Sequence, residues 1–310
     1  MAFFSLLLVF VIGVVGGIWL QRAYGAGDLL RAAGVLPPRP ENTARPTPTR
    51  TAVGLPAEFH GQLALFALAG QSNMSGWAPL PAEQTLHPRA FLFGNDYRWR
   101  LAQEPIDHPE GQVDRISLDQ GSELGTSPGL AFANALLKDK PEMVVGLIPC
   151  AKGNTTLHEW RRNLGDDTLY GSCLKRMAAA TTMGEVAGLL FFQGEADALN
   201  PEQYNDRILS AYDYGERFSQ FVNDLRRDLA RPNLPIIFAQ IGSHASPEAF
   251  TNWAVVQAQQ AAVSIPCVAM ITTSDLPLRD GVHYTTESYQ IIGERFAAAY
   301  FHLMKTQECE

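Results

Sequence analysis

Five short apolar runs punctuate the chain, at Leu63–Leu68, Met143–Ile148, Ala187–Phe192, Pro235–Ile241 and Cys267–Thr272. None follows the apolar/polar alternation of a half-exposed strand, so each is predicted to be a strand buried on both faces. Between them the spacing of apolar positions turns helical, over Gly129–Leu137, Cys173–Thr182, Gln203–Leu229, Glu248–Val263 and Thr286–Leu303. Strands alternating with helices predict an α/β fold, a five-stranded parallel sheet covered on both faces. A domain of roughly 250 residues buries about three quarters of its unfolded surface, enough for such a core. From Pro79 to Glu123 the chain is rich in Pro, Asp, Gly and Gln with weak periodicity, which predicts long loops over the carboxyl edge of the sheet.

The pattern differs at the amino terminus. From Ala2 to Leu20 no residue is charged and only Ser5 is polar. As a helix this run reaches about 29 Å, the depth of a bilayer's hydrocarbon core, so residues 1–21 are predicted to be a transmembrane anchor with the lipid bilayer as partner. Apolar residues follow Met1 directly, and Gln21 and Arg22 close the run, features of an uncleaved anchor, although Ala23-Tyr24-Gly25 has the small-x-small form of a cleavage site. Residues 22–57 are predicted to be a linker, with Pro37, Pro38, Pro40, Pro46 and Pro48 favouring extended segments in a Thr-rich run. The folded domain is placed at 58–306. Arg22 and Arg31 after the anchor favour a cytoplasmic domain, and the Pro/Thr stalk favours the opposite side.

Composition narrows the partners. A chain of 310 residues with 46% hydrophobic and 18% charged residues is globular material, and a net charge of −8 with no basic stripe excludes nucleic acid. The cysteines, Cys150, Cys173, Cys267 and Cys309, are far apart, and their disulfide state is open from sequence alone. No H-E-x-x-H is present, and the scattered histidines suggest neither a metal site nor a cofactor.

Candidate chemistry gathers at the strand ends. The first run stops at Gly70-Gln71-Ser72-Asn73, the second at Pro149-Cys150-Ala151-Lys152-Gly153-Asn154-Thr155, and the third at Gln193-Gly194-Glu195-Ala196-Asp197. Open α/β sheets place ligands at that edge. Ser72 supplies a hydroxyl, and glycine lets backbone N–H groups approach a ligand. After the fifth run comes Asp280-Gly281-Val282-His283, in which an acid and an imidazole can face the same way so that Asp280 orients His283 toward a serine. Each signal alone has a structural reading: Asp280-Gly281 as a turn, Gly153 as a loop glycine, Glu195 and Asp197 as first-turn helix acids. Together they form the parts list of acyl transfer.

These blocks, GQSNM-x-G at Gly70–Gly76, PCAKGNT running toward Trp160, QGEAD at Gln193–Asp197 and DGVHYT at Asp280–Thr285, resemble the ordered motifs of the SGNH (GDSL-like) hydrolases. The chain is most similar to their sialate O-acetylesterase and acetylxylan esterase branch, carbohydrate esterase family six. The resemblance covers His60 to Tyr300. It implies a flavodoxin-like three-layer α/β/α sandwich and a metal-free serine esterase acting on an acylated carbohydrate or other small ester. By position it implies Ser72 as nucleophile, His283 as base and Asp280 as its orienting acid. It also implies oxyanion donors at the N–H groups of Ser72 and Gly153 and the side chain of Gln193. Gln71, Asn73, Asn154 and Glu195 are supporting or substrate-binding candidates, and His244, just past a strand end, is a candidate to reach the substrate. The sequence departs from the family pattern at Asn154, where Gly-Gly-Thr is usual, and at Phe191, Phe192 and Ala196 in the Trp-x-Gln-Gly-Glu-Ser-Asp block. A glycan substrate, with the stalk, favours an extracytoplasmic domain.

Rival readings remain at this level. Gly125-Thr126-Ser127-Pro128-Gly129 matches the G-x-S-x-G elbow, but no strand precedes it, and Ser127 before Pro128 fits a helix N-cap better. An inactive membrane-tethered carbohydrate-binding protein would use Trp77, Trp99, Trp160 or Trp253 to stack on sugars, and an O-acyltransferase would share the same acyl-enzyme.

Overall fold

The computed structural model describes residues 54–119, 124–306 and Cys309. The predicted anchor and most of the linker lie outside them, and among the described residues no helix is long and apolar enough to cross a membrane. In chain order the elements are β1 (Leu63–Gly70), α1 (Ser72–Ser75), β2 (Ala90–Phe93), β3 (Trp99–Leu101), α2 (Pro128–Asp139), β4 (Val144–Pro149) and α3 (Leu169–Ala180). They continue with β5 (Gly184–Phe192), α4 (Tyr214–Asp228), β6 (Ile236–Ala239), α5 (Trp253–Ala261), β7 (Val268–Ile271) and α6 (Thr286–Lys305).

All the expected strands are present, parallel and adjacent in the order β4-β1-β5-β6-β7, which is the flavodoxin-like order. The expectation of a five-stranded parallel sheet is nonetheless incorrect. The sheet has seven strands, because β2 joins β4 and β3 pairs antiparallel with β2, making it mixed. Both extra strands lie in the stretch read as loops: β2 is a four-residue apolar run, and β3 is only half-buried. Two helices start later than their apolar spacing suggests. The expected helix over Gln203–Leu229 begins at Tyr214, since the residues before it are drawn to the carboxyl edge of the sheet, where the Ser210 N–H donates to Asp197 Oδ1 at 2.7 Å and Arg207 reaches Asn154. The helix expected from Glu248 begins at Trp253.

β1 explains why its sequence is an unbroken apolar run. Leu63, Leu65, Ala67 and Ala69 enter one core with Met177 of α3, Phe218 and Val222 of α4 and Val256 of α5. Phe66 and Leu68 enter the opposite core with Phe132 and Leu136 of α2 and Phe296 and Tyr300 of α6. Successive strand residues point to opposite faces, so a strand between two helical layers has no position for a polar side chain. Phe66 alone meets Phe132 and Tyr300 edge-on at 4.9 and 5.1 Å, and burying a side chain of that size contributes about 1.5–3 kcal/mol. The four cysteines form two disulfides: Cys150–Cys173 joins the end of β4 to α3, and Cys267–Cys309 joins the start of β7 to the carboxyl terminus.

The carboxyl ends of β4, β1 and β5 lie side by side at the point where the strand order reverses. Open α/β sheets place ligands at such a switch point, and Ser72, Gly153 and Glu195 follow these three strand ends.

Candidate active site

β1 ends at Gly70 with φ +127°, and a Cβ there would overlap the carbonyl oxygen of Phe192 at the end of β5. Only glycine allows this approach. The Gln71 N–H then donates to that same carbonyl at 2.8 Å, and the chain turns directly into α1, placing Ser72 at its first position.

Ser72 Oγ lies 2.8 Å from His283 Nε2, although the two residues are 211 positions apart. His283 Nδ1 lies 2.9 Å from Asp280 Oδ2 and 3.0 Å from Oδ1. Asp280 Oδ1 also accepts the N–H groups of Val282 and His283 at 3.0 and 2.9 Å, so one carboxylate both shapes the turn and meets the ring. Burial alone would raise the Asp280 carboxyl, but hydrogen bonds from His283 and from these two N–H groups outweigh it and hold it well below the usual carboxylate range. An ionised carboxylate only accepts, so Nδ1 of the neutral imidazole carries the hydrogen and Nε2 is left as acceptor for the serine proton.

Asn73 links this pair of residues to β5. Its Nδ2 donates to Glu195 Oε1 and to the carbonyl of Val282, the latter at 3.1 Å, and its Oδ1 accepts the Tyr289 hydroxyl at 2.6 Å. Val282 lies between Asp280 and His283, so Asn73 ties the loop that carries them to the turn that carries Ser72. Glu195 is 2% exposed, and burial raises its carboxyl against the opposing Asn73 hydrogen bond. Its Oε2 has no hydrogen-bond partner among the described residues.

The other expected donors have partners of their own. Gln193 is fully buried, its Nε2 donating to Asp197 Oδ2 at 2.6 Å and Thr155 O at 2.9 Å, with a longer approach to Gln71 Oε1 at 3.3 Å. The Gly153 N–H donates to both oxygens of Asp119 at 3.0 Å. Asp119 also accepts Lys152 Nζ at 2.9 Å and Ser75 Oγ at 3.0 Å. Sequence reasoning assigned Asp119 no role, because it falls in an aperiodic stretch whose neighbours give no structural register. Asn154 takes a left-handed conformation at φ +58° and accepts Arg207 Nη1 at 2.7 Å. His244 packs on Trp253 and Phe250, with centroids 4.6 and 5.5 Å away, and does not line the cleft.

That cleft encloses about 840 Å³ and is lined by Gln71, Ser72, Trp77, Asp119, Lys152, Gly153, Asn154, Glu195 and His283, among others. It mixes apolar surface with a few convergent polar groups, as small-molecule sites do. Ser127 lies elsewhere. Its hydroxyl accepts the Gly129 N–H at 3.1 Å as the α2 N-cap and donates to Glu104 at 2.9 Å, and it is 1% exposed with no histidine beside it. Among the described residues no group of histidines, cysteines and carboxylates is arranged to hold a metal ion.

Comparison with known proteins places the whole domain. Residues 62–302 match the profile of the family described as carbohydrate esterase, sialic acid-specific acetylesterase. The chain is 32% identical over 255 residues to the probable carbohydrate esterase At4g34215 of Arabidopsis thaliana, covering 76% of this chain and 89% of that protein. The crystal structure of that protein aligns with a TM-score of 0.64 at 31% identity, over 77% of this chain and 97% of its own. NanS shares the fold with a TM-score of 0.56 at 18% identity, over 80% of this chain and 99% of its own. The carbohydrate acetylesterase XAC1771 of Xanthomonas citri does so with a TM-score of 0.56 at 17% identity, over 78% and 57% of the two chains.

The buried carboxyls give a pH signature. Burial raises Asp197 to about 6 despite hydrogen bonds from Gln193, Leu157 and Ser210. The folded state therefore holds a proton that the unfolded chain releases near pH 4, and stability falls as pH rises from about 4 to about 6. Asp197→Asn lacks this loss. In urea unfolding the variant is expected to gain relative to wild type between pH 4 and pH 7, and a constant difference across that range would contradict the raised carboxyl.

Proposed function

The chain belongs to the sialic acid-specific acetylesterase family of carbohydrate esterases and is a carboxylic ester hydrolase, and we propose that it removes O-acetyl groups from a carbohydrate through a Ser72 acyl-enzyme. The observation that carries this reading is the continuous hydrogen-bonded line from Asp280 through His283 to Ser72 Oγ.

In this mechanism His283 Nε2 takes the Ser72 proton as Oγ attacks the ester carbonyl, and Asp280 stabilises the imidazolium that forms. His283 returns the proton to the departing sugar hydroxyl. Water then repeats the sequence to release acetate and free serine. The first-turn N–H of Ser72 has no intrahelical partner and faces the developing oxyanion. The Gly153 N–H joins it when the acyl oxygen displaces the Asp119 carboxylate. Gln193 acts through Gln71, whose side-chain oxygen it holds from behind while the Ala196 N–H approaches the same oxygen at 3.3 Å. The matching family of sialic acid-specific acetylesterases and the relative described as a probable carbohydrate esterase support acetyl on a sugar as the ester.

The test is hydrolysis of p-nitrophenyl acetate, acetylated xylan and O-acetylated sialic acid by wild type, Ser72→Ala and Ser127→Ala. Ser72→Ala is expected to lose turnover by about 10⁶-fold, as removal of a serine nucleophile does elsewhere, while Ser127→Ala stays within a few-fold. Loss in Ser127→Ala alone would overturn the assignment. Binding of these ligands without turnover would favour the binding-protein reading, and acetyl transfer to added sugars in preference to water the transferase reading.

We also propose a bilayer-anchored chain with its catalytic domain on the extracytoplasmic side. Two disulfides that use every cysteine support this, because such bonds persist in oxidising compartments. Protease added to intact cells is expected to degrade the domain, and complete protection until lysis would reverse the orientation.

A further inference from the structure

The indole of Trp77 lies face to face with the imidazole of His283, ring centroids 5.0 Å apart and planes inclined by 11°. The chain is built to put it there. Gly76, at φ +98°, turns the backbone immediately after α1, and a Cβ at that position would stand 2.7 Å from the Ser127 side chain. The Trp77 carbonyl accepts the Arg279 guanidinium, and the Arg279 N–H donates to the His283 carbonyl at 2.7 Å. Thr286 Oγ1 donates to the Pro79 carbonyl at 2.8 Å. The segment after the nucleophile is thus fastened to the loop carrying acid and base both before and after His283. The indole N–H has no hydrogen-bond partner among the described residues, so no polar contact sets the plane of the ring.

We propose that Trp77 is a positioning residue for the esterase, holding the His283 ring in plane and stabilising it electrostatically as it becomes an imidazolium. Asp280 and Ser72 fix the two ring nitrogens but leave tilting out of the ring plane unopposed, and a flat neighbour opposes it. The indole face carries negative quadrupole density, so its attraction for the ring grows when Ser72 hands over its proton. The His283 side chain is only 16% exposed, which limits competition from water. Because the gain appears with the charge, it favours the transition state over bound substrate and belongs in kcat. A sugar-stacking role for the same indole would instead belong in KM. The inference rests on His283 being the base.

The experiment measures kcat and KM on p-nitrophenyl acetate and acetylated xylan for Trp77→Leu, Trp77→Phe, His283→Ala and the double variant Trp77→Leu/His283→Ala. Trp77→Leu is expected to lower kcat about 3- to 30-fold on both substrates with KM within twofold, and Trp77→Phe to recover most of it. In the His283→Ala background Trp77→Leu is expected to add nothing. Unchanged kcat, a KM effect confined to xylan, or the same fold-loss without His283 would overturn the proposal. Wild-type activity in His283→Ala would instead overturn the assignment of the base. Should Trp77→Leu fail to fold, wild-type protein made with progressively fluorinated tryptophan gives the same answer: kcat falling stepwise at constant KM supports the stack, and no dependence overturns it.

Discussion

Asn73 makes the hydrogen bonds on which the site geometry depends. One side-chain amide holds Glu195 just past the end of β5, the carbonyl of Val282 in the loop of Asp280 and His283, and the hydroxyl of Tyr289 in α6. Ser72 and His283 are brought together across 211 residues, and a 2.8 Å contact between groups so distant in sequence needs a local clamp as well as a fold. Asn73 is adjacent to Ser72, so any displacement of the loop is resisted within one residue of the serine hydroxyl. The clamp is buried, where a satisfied amide is strong and an unsatisfied one costly.

The core makes that clamp rigid. β1 sends alternate side chains into two separate cores, so the strand that leads into the Ser72 turn is held from both faces. Its last glycine lies against the backbone of β5 at Phe192. Sites built on such elements keep the sub-ångström tolerance that acyl transfer requires. On this frame Asp280, His283 and Ser72 form one hydrogen-bonded line. Asp280 is ionised and acceptor-only, the imidazole is oriented by it, and the serine hydroxyl meets the free nitrogen.

Much of this was legible in the sequence because its causes are local. A strand buried on both faces must be continuously apolar, and all the predicted strands are found. Ser72 follows such a run, and Asp280 and His283 share a turn whose geometry one carboxylate sets, so residue type and spacing pointed to them, while the roles came from the resemblance to the family motifs. What was missed depends on pairing. β2 and β3 are too short to carry a period; β2 is placed by the edge that β4 offers, and β3 by the edge of β2. Asp119 meets Gly153, and Trp77 meets His283, across long stretches of chain with no pattern to announce them. The surroundings of Gly153 and Gln193 show the same limit: a motif names residues, whereas the partners their N–H groups meet, Asp119 and Asp197, are not given by its spacing.

The most direct test of the account is covalent. Full-length protein would be treated with a small fluorophosphonate and the labelled peptide identified by mass spectrometry, beside His283→Ala. The account predicts a single adduct on Ser72 that forms far more slowly without His283. An adduct on Ser127, or one on Ser72 at a rate indifferent to His283, would contradict it.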